Sequence, residues 1–232
     1  MTWKLTLPTA RYDTTGTTVE VGLGTPLHVS ITSKAKGLGG LIAGFQVIPS
    51  DDPTLTGQPK TAELHANKPL KCDDCYVREN DLIAIYPQVF PWAFGFQVDF
   101  RFQKGLVAGV DALELWLSVQ TSLLESAPRL TLYPTADETF WKEGRYWVAG
   151  HGQTVMIPHP LDRTDYHPTA SPETGEVSQI DCFGGFMEKG VIRRARWLLA
   201  WSSSPTSKSP LSRSTIEAVY KRFAESPLPL TA

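Results

Sequence analysis

The run Phe94-Gly95-Phe96-Gln97-Val98-Asp99-Phe100-Arg101-Phe102 decides the fold class. Five apolar side chains alternate with small or polar ones at a period of two, the repeat of a strand with one face in a core. A slip of one residue would turn all five outward, so the register is strongly specified. The same alternation extends to both sides. Leu113, Leu115, Leu117 and Val119 alternate with Glu114, Trp116 and Ser118. Upstream, Leu27, Val29 and Ile31 alternate across His28 and Ser30, and Trp3, Leu5 and Leu7 across Lys4 and Thr6. Downstream, Gln153–Ile157 reads as a strand, and in Val191–Trp201 the residues Val191, Ala195, Trp197, Leu199 and Trp201 share one face.

Turn chemistry punctuates these runs. Glu79-Asn80-Asp81 reads as a hairpin tip, and Lys104-Gly105, Glu143-Gly144 and Lys189-Gly190 as tight turns. Pro49–Lys60 and Pro168–Gly175 are polar and proline-rich, so both are expected to be loops. One helix is expected near the C-terminus. Ser214-Thr-Ile-Glu217 has the form of a capping box. Ile216, Val219, Tyr220, Phe223 and Ala224 then form one apolar stripe, Glu217 and Lys221 an i,i+4 pair, and Ser226-Pro227 a stop. The expectation is a mainly β, α+β fold: antiparallel, sandwich-like sheets with this amphipathic helix packed on the sheet that holds the 191–201 strand. Residues 1–232 form a single domain in this reading. A seam between two β halves, if there is one, falls near 104–111.

Composition limits the function. Gly and Pro number 18 each, without a period, which fits many turns and not collagen. With 41% hydrophobic and 20% charged residues the chain can build a core, and no apolar run reaches the ~20 residues of a membrane helix. Twenty-two basic against 24 acidic residues lack the basic excess of a nucleic-acid binder. The N-terminus does not read as a signal peptide, and three cysteines are too few for a disulfide scaffold. A reduced, cytoplasmic setting and no membrane follow as expectations. The partner is open, a homo-oligomer among the choices.

Four features bear on chemistry. Cys72-Asp-Asp-Cys75 has the spacing of a redox pair or of half a zinc site. Two carboxylates between the thiols raise thiol pKa and argue against redox work, and zinc would need Cys182 and a histidine such as His65 to complete four ligands. The reading is therefore ordinary reduced cysteines, with no metal and no cofactor. His151 and the stretch His159-Pro-Leu-Asp-Arg-Thr-Asp-Tyr-His167 offer His159, Asp162, Asp165 and His167 as candidate catalytic or metal-binding groups. Pro160 prevents a helical H-E-x-x-H site, so a polar loop competes with that reading. Residues 188–222 carry eight basic and two acidic side chains, with Arg194 and Arg196 on the polar face of a strand. They are candidate contacts for an anionic ligand or a nucleic acid, although acidic residues of 161–187 could neutralise them. Arg193 falls on the apolar face and calls for an acidic partner, Asp181 or Glu188. Trp92, after Phe90-Pro91, is a candidate ligand-stacking residue or a cover for one end of the core. No G-x-S-x-G elbow or phosphate loop is present; Gly37-Leu-Gly-Gly40 lacks the lysine and the spacing.

Tyr76-Val-Arg-Glu-Asn-Asp-Leu-Ile-Ala-Ile-Tyr86, Glu188-Lys-Gly-Val-Ile-Arg-Arg-Ala-Arg196 and Arg222-Phe-Ala-Glu-Ser-Pro-Leu-Pro-Leu-Thr231 resemble a family of uncharacterised bacterial proteins of the planctomycete type. The resemblance implies a bacterial, cytoplasmic protein and carries over no activity, cofactor or site residue. The expected function is binding or assembly without catalysis. A hydrolase, metal-dependent or not, using the 151–167 loop is the alternative, and an anionic-ligand binder using 188–222 the third.

Overall fold

A computed structural model describes residues 2–34, 41–51, 69–134, 140–143, 145–149, 153–203 and 210–226. Among these, the strands are β1 (Lys4–Thr6), β2 (Thr9–Asp13), β3 (Thr17–Gly22), β4 (Leu27–Ser33), β5 (Leu41–Asp51), β6 (Asp74–Arg78), β7 (Asp81–Tyr86) and β8 (Gly95–Val107). They continue as β9 (Val110–Gln120), β10 (Pro128–Pro134), β11 (Phe140–Glu143), β12 (Tyr146–Ala149), β13 (Thr154–Pro158), β14 (Tyr166–Ala170), β15 (Glu176–Phe183) and β16 (Ile192–Ser202). A 3-10 turn covers Pro160–Asp165, and the helix α1 covers Arg213–Ala224.

The strands pair antiparallel in the order β1-β2-β3-β4-β5-β10-β15-β11-β12-β13-β16-β9-β8-β7-β6, with β14 also on β15. This ladder folds over so that its two arms face each other as packed sheets. Ring contacts mark the closure: Tyr12 of β2 stacks on Phe102 of β8 at 4.5 Å, and Trp3 lies 6.4 Å from Phe100. The Tyr86 hydroxyl of β7 donates to the Leu23 carbonyl after β3 at 3.1 Å. Phe94, Phe96, Val98, Phe100 and Phe102 all enter this core, as their alternation requires. Gly95 is needed beside them, because a Cβ there would stand 2.7 Å from the Gln88 amide nitrogen and 2.9 Å from the Tyr86 carbonyl.

A third layer covers the outer face of the second sheet. Ile216, Val219 and Phe223 of α1 pack on Val110, Ala112, Val155, Ile157, Leu198 and Ala200, a second core separate from the first. The helix therefore lies on the sheet that contains the 192–202 strand. Arg145, at the β11–β12 turn, holds its outer side through Glu217 (3.6 Å) and the Tyr220 ring (4.6 Å).

Several local expectations change. The helix starts earlier than the Ser214 box: Ser212 is the N-cap and accepts from the Thr215 amide at 3.1 Å. Glu217 pairs with Arg145, and Lys221 reaches Glu225 at 4.0 Å. Lys104-Gly105 is no turn; it is a bulge inside β8, with the chain reversing at Ala108-Gly109. The region 104–111 is thus the end of the β8–β9 hairpin. Gly105 adopts φ +60°, and its amide donates to Asp111 at 2.9 Å. Residues 168–170 are strand, because β14 finds a partner in β15. At the N-terminus only Trp3 is buried, while Leu5, on a three-residue edge strand, and Leu7, in the turn after it, are exposed. Gly144, Gly37–Gly40, His65, His151 and most of 49–60 lie outside the described residues.

Candidate functional site

The outer face of the second sheet carries ionisable groups that the three layers enclose. Register across β7, β8, β9 and β16 sets Asp81 opposite Arg101, Arg101 opposite Glu114, and Glu114 opposite Leu198. The next row runs Asp99, Trp116, Arg196. Glu114 and Trp116, the polar alternates of the β9 pattern, are buried, since α1 and the 159–162 segment lie over that face.

Arg101 grips Asp81 with two bonds of 2.7 and 2.6 Å. Such a bidentate pair fixes the guanidinium in place. The Gln103 amide donates to Oε2 of Glu114 at 2.5 Å. Glu114 is only 2% exposed, and its Oε1 has no hydrogen-bond partner. Burial raises its pKa above the ordinary 4.5, against weaker opposing effects of the Trp116 indole, Arg101, Gln103 and Arg196. Asp99 is raised for the same first reason; the Gln97 amide (2.7 Å) opposes it and the Asp81 charge reinforces it. Where α1 ends, a cleft of about 290 Å³ opens over this floor. Arg101, Gln103, Leu106, Glu114, Arg222, Phe223, Glu225 and Ser226 line it.

A second knot closes the neighbouring corner. Arg196 is 2% exposed. Its backbone N–H and Nε donate to Asp162 Oδ2 at 2.9 and 3.1 Å, and Nη2 donates to His159 Nδ1 at 2.8 Å. The Leu161 amide also points at His159 Nδ1 (3.3 Å), so that nitrogen is the acceptor and the proton sits on Nε2. Burial, then the Arg196 charge, lowers the His159 pKa and keeps the ring neutral. Its ring meets Phe223 edge-on at 5.0 Å.

The sequence candidates therefore part company. His159, Asp162 and Arg196 converge, but in a buried network turned inward, in which His159 Nε2 and Arg196 Nη1 have no hydrogen-bond partner. Arg196, expected on the open polar face, is buried there; Arg194 is exposed. His167 is exposed on β14, across from Asp181. Asp165 lies in the 3-10 turn, with its side chain outside the described residues. Trp92 is buried at the end of the first core, edge-on to Phe94 at 6.0 Å. Arg193 lies over the Phe183 ring at 5.8 Å, while Asp181 takes Thr131 at 2.7 Å and Arg129 at 3.9 Å. Lys221 and Arg222 are exposed on α1. Among the described residues, no group of three or more His, Cys, Asp or Glu side chains is placed to hold a metal ion. No described helix is long and apolar enough to cross a membrane.

Sequence reasoning missed Glu114, Arg101 and Gln103. A signal was present: Leu198, Ala200, Val110 and Ala112 are apolar on the face opposite Trp197 and Leu113, so these strands are apolar on both faces and must be covered twice. No protein-family model, curated protein or solved structure matches this chain. The fold and site themselves define a sandwich-like α+β protein with a polar cleft between a helix end and a sheet.

Proposed function

We propose that the protein acts by binding: it takes a small polar ligand into the cleft at the C-terminal end of α1, without transforming it. The observation that carries this is the unpartnered, buried Oε1 of Glu114 at the cleft floor. Leaving such an acceptor unsatisfied costs about 1–3 kcal/mol, which a ligand donor would recover. The ligand presents a hydroxyl or ammonium hydrogen to Glu114 and an acceptor to Arg222 at the rim. The volume suits a molecule at the small end of pocket ligands. Arg101 and Gln103 are already engaged and serve to hold the floor in shape. His159 Nδ1 and Asp162 Oδ2 are both taken up by the buried Arg196, which supports a structural use of that corner over hydrolysis. Three free thiols support a reducing, cytoplasmic setting.

The test titrates monosaccharides and, separately, free amino acids into isotope-labelled protein, reading the amide signals of Gln103, Glu114 and Phe223. One set should shift them saturably. Glu114→Leu should weaken that binding by about tenfold or more, since hydrogen bonds to charged groups are worth about 1.5–3 kcal/mol. Silence from both arms, or equal affinity in Glu114→Leu, defeats the reading.

A further inference from the structure

Away from the cleft, the second sheet ends in an apolar cap. Its last paired row is Gly95, Gln120 and Ile192, on β8, β9 and β16. Beyond that row lie the loops 87–94, 121–127 and 184–191. Hydrogen bonds lash the three together. The Thr121 hydroxyl donates to the Ala93 carbonyl at 2.7 Å, and the Ser122 amide to Gln88 Oε1 at 2.8 Å. The Gly190 amide donates to the Thr121 carbonyl at 3.1 Å, and Ser126 and Met187 exchange two backbone bonds of 3.2 and 2.8 Å. Trp92 and Met187 root the loops in the first core. Other apolar residues of the same segments turn outward. Val89 and Phe90, then Leu123 and Leu124, then Phe186, Val191 and Ile192 are exposed, Phe90 and Leu124 at 79% each. They make up seven of the twelve large hydrophobic residues exposed among the described residues, so the exposure is concentrated at this end. Single apolar residues on a surface are ordinary, whereas a group of this size marks an interaction surface.

We propose that this cap is the pairing surface of a symmetric dimer of the chain. Charge and area select a second copy as the occupant. Glu125 and Glu188 stand exposed on the same loops as Lys189, with Arg194 exposed just inside β16. A two-fold axis sets such a mixed rim against itself, acid to base, as an isologous interface requires. An anionic lipid surface would instead press on both glutamates. The seven side chains expose the equivalent of about four whole ones, about 600 Å² per copy at about 150 Å² apiece. A symmetric pair buries about 1,200 Å², which reaches the range of specific interfaces. Hydrogen bonds already fix the loops, so association orders little that was loose. The cleft stays open in this dimer. Its Arg101 and Gln103 lie further along β8 from Gly95, by about 20 and 26 Å at about 3.3 Å per residue. Pairing and ligand binding therefore succeed or fail independently.

The experiment is sedimentation equilibrium of the full chain from about 1 µM to about 200 µM, spanning the micromolar affinity expected of a pair this size. The weight-average mass should rise from 25.6 kDa toward twice that value. Phe90→Ser combined with Leu124→Ser should raise the dissociation constant at least about a hundredfold, about tenfold for each truncated anchor. Leu41→Ser provides the control. Leu41 is exposed at the start of β5, and the next residue, Ile42, takes the Thr154 hydroxyl beside Trp201, at the far end of β16 from Ile192. This variant should pair like the wild type. Hydrogen exchange of the wild-type protein, read by mass spectrometry at both ends of the concentration range, needs no variant to fold. Exchange should slow on concentration in 87–94, 121–127 and 184–191. A wild-type chain that stays at 25.6 kDa throughout would overturn the proposal. If that monomer sediments with vesicles of phosphatidylcholine and phosphatidylserine, the cap is a lipid contact instead. Pairing undiminished in the double variant, pairing lost equally in Leu41→Ser, or slowed exchange confined to other segments would overturn it as well.

Discussion

Replacing Phe223 with alanine tests how α1 is held. The ring is 1% exposed and sits between Val219, Ile216 and the outer face of β16, edge-on to His159 at 5.0 Å. Emptying a buried phenylalanine site costs about 3–5 kcal/mol. Loss of the edge-to-face contact accounts for about 0.5–1.5 kcal/mol of that, so a value near 4 kcal/mol is expected. Lys221, two residues earlier, provides the control. Its side chain is 76% exposed, and its 4.0 Å pair with Glu225 is a surface pair. Lys221→Ala should therefore cost less than about 0.5 kcal/mol. Urea unfolding followed by tryptophan fluorescence reads both. With a slope of about 2–3 kcal/mol per molar, Phe223→Ala should lower the midpoint by about 1.5 M and Lys221→Ala by less than about 0.2 M. Small and equal shifts would mean that α1 is a loose appendage and that the second core contributes little to stability.

Two further predictions concern the buried charges. Asp162→Asn leaves Arg196 charged and without its anion, and should cost about 3–5 kcal/mol by the same assay; adding Arg196→Met should restore most of the loss, and a double variant no better than the single would refute a buried-pair origin. The raised pKa of Glu114 means the folded protein binds its proton more tightly than the unfolded chain. Above about 4.5 the unfolded state releases that proton first, so Glu114 makes stability fall as pH rises from there through the raised folded value. Glu114→Leu removes this component, so its stability relative to wild type should increase between pH 4 and pH 7; a difference that stays flat with pH would show that Glu114 titrates normally.

Local pattern sufficed for the sheet architecture. The Phe94–Phe102 and Leu113–Val119 alternations set which faces enter the first core, because a period of two leaves one consistent burial. The apolar stripe of 216–223 likewise required a sheet to lie on. Such preferences are carried by neighbours in the chain. What lay beyond the sequence depended on pairing between distant segments. Whether 168–170 became loop or strand turned on β15 offering an edge. Whether Glu114 faced water or a buried cleft turned on α1 arriving from a hundred residues away. Asp162 and His159 could be noticed as polar loop residues, but their partner Arg196 lies 34 and 37 residues on and was expected to face outward. Charges are placed by three-dimensional neighbours, because the free energy of burying one depends on which opposite group folding brings within hydrogen-bonding reach. The Cys72–Cys75 spacing was visible in the sequence. Only the tertiary structure set Cys72 just before β6 and Cys75 within it, both half-buried against the first core.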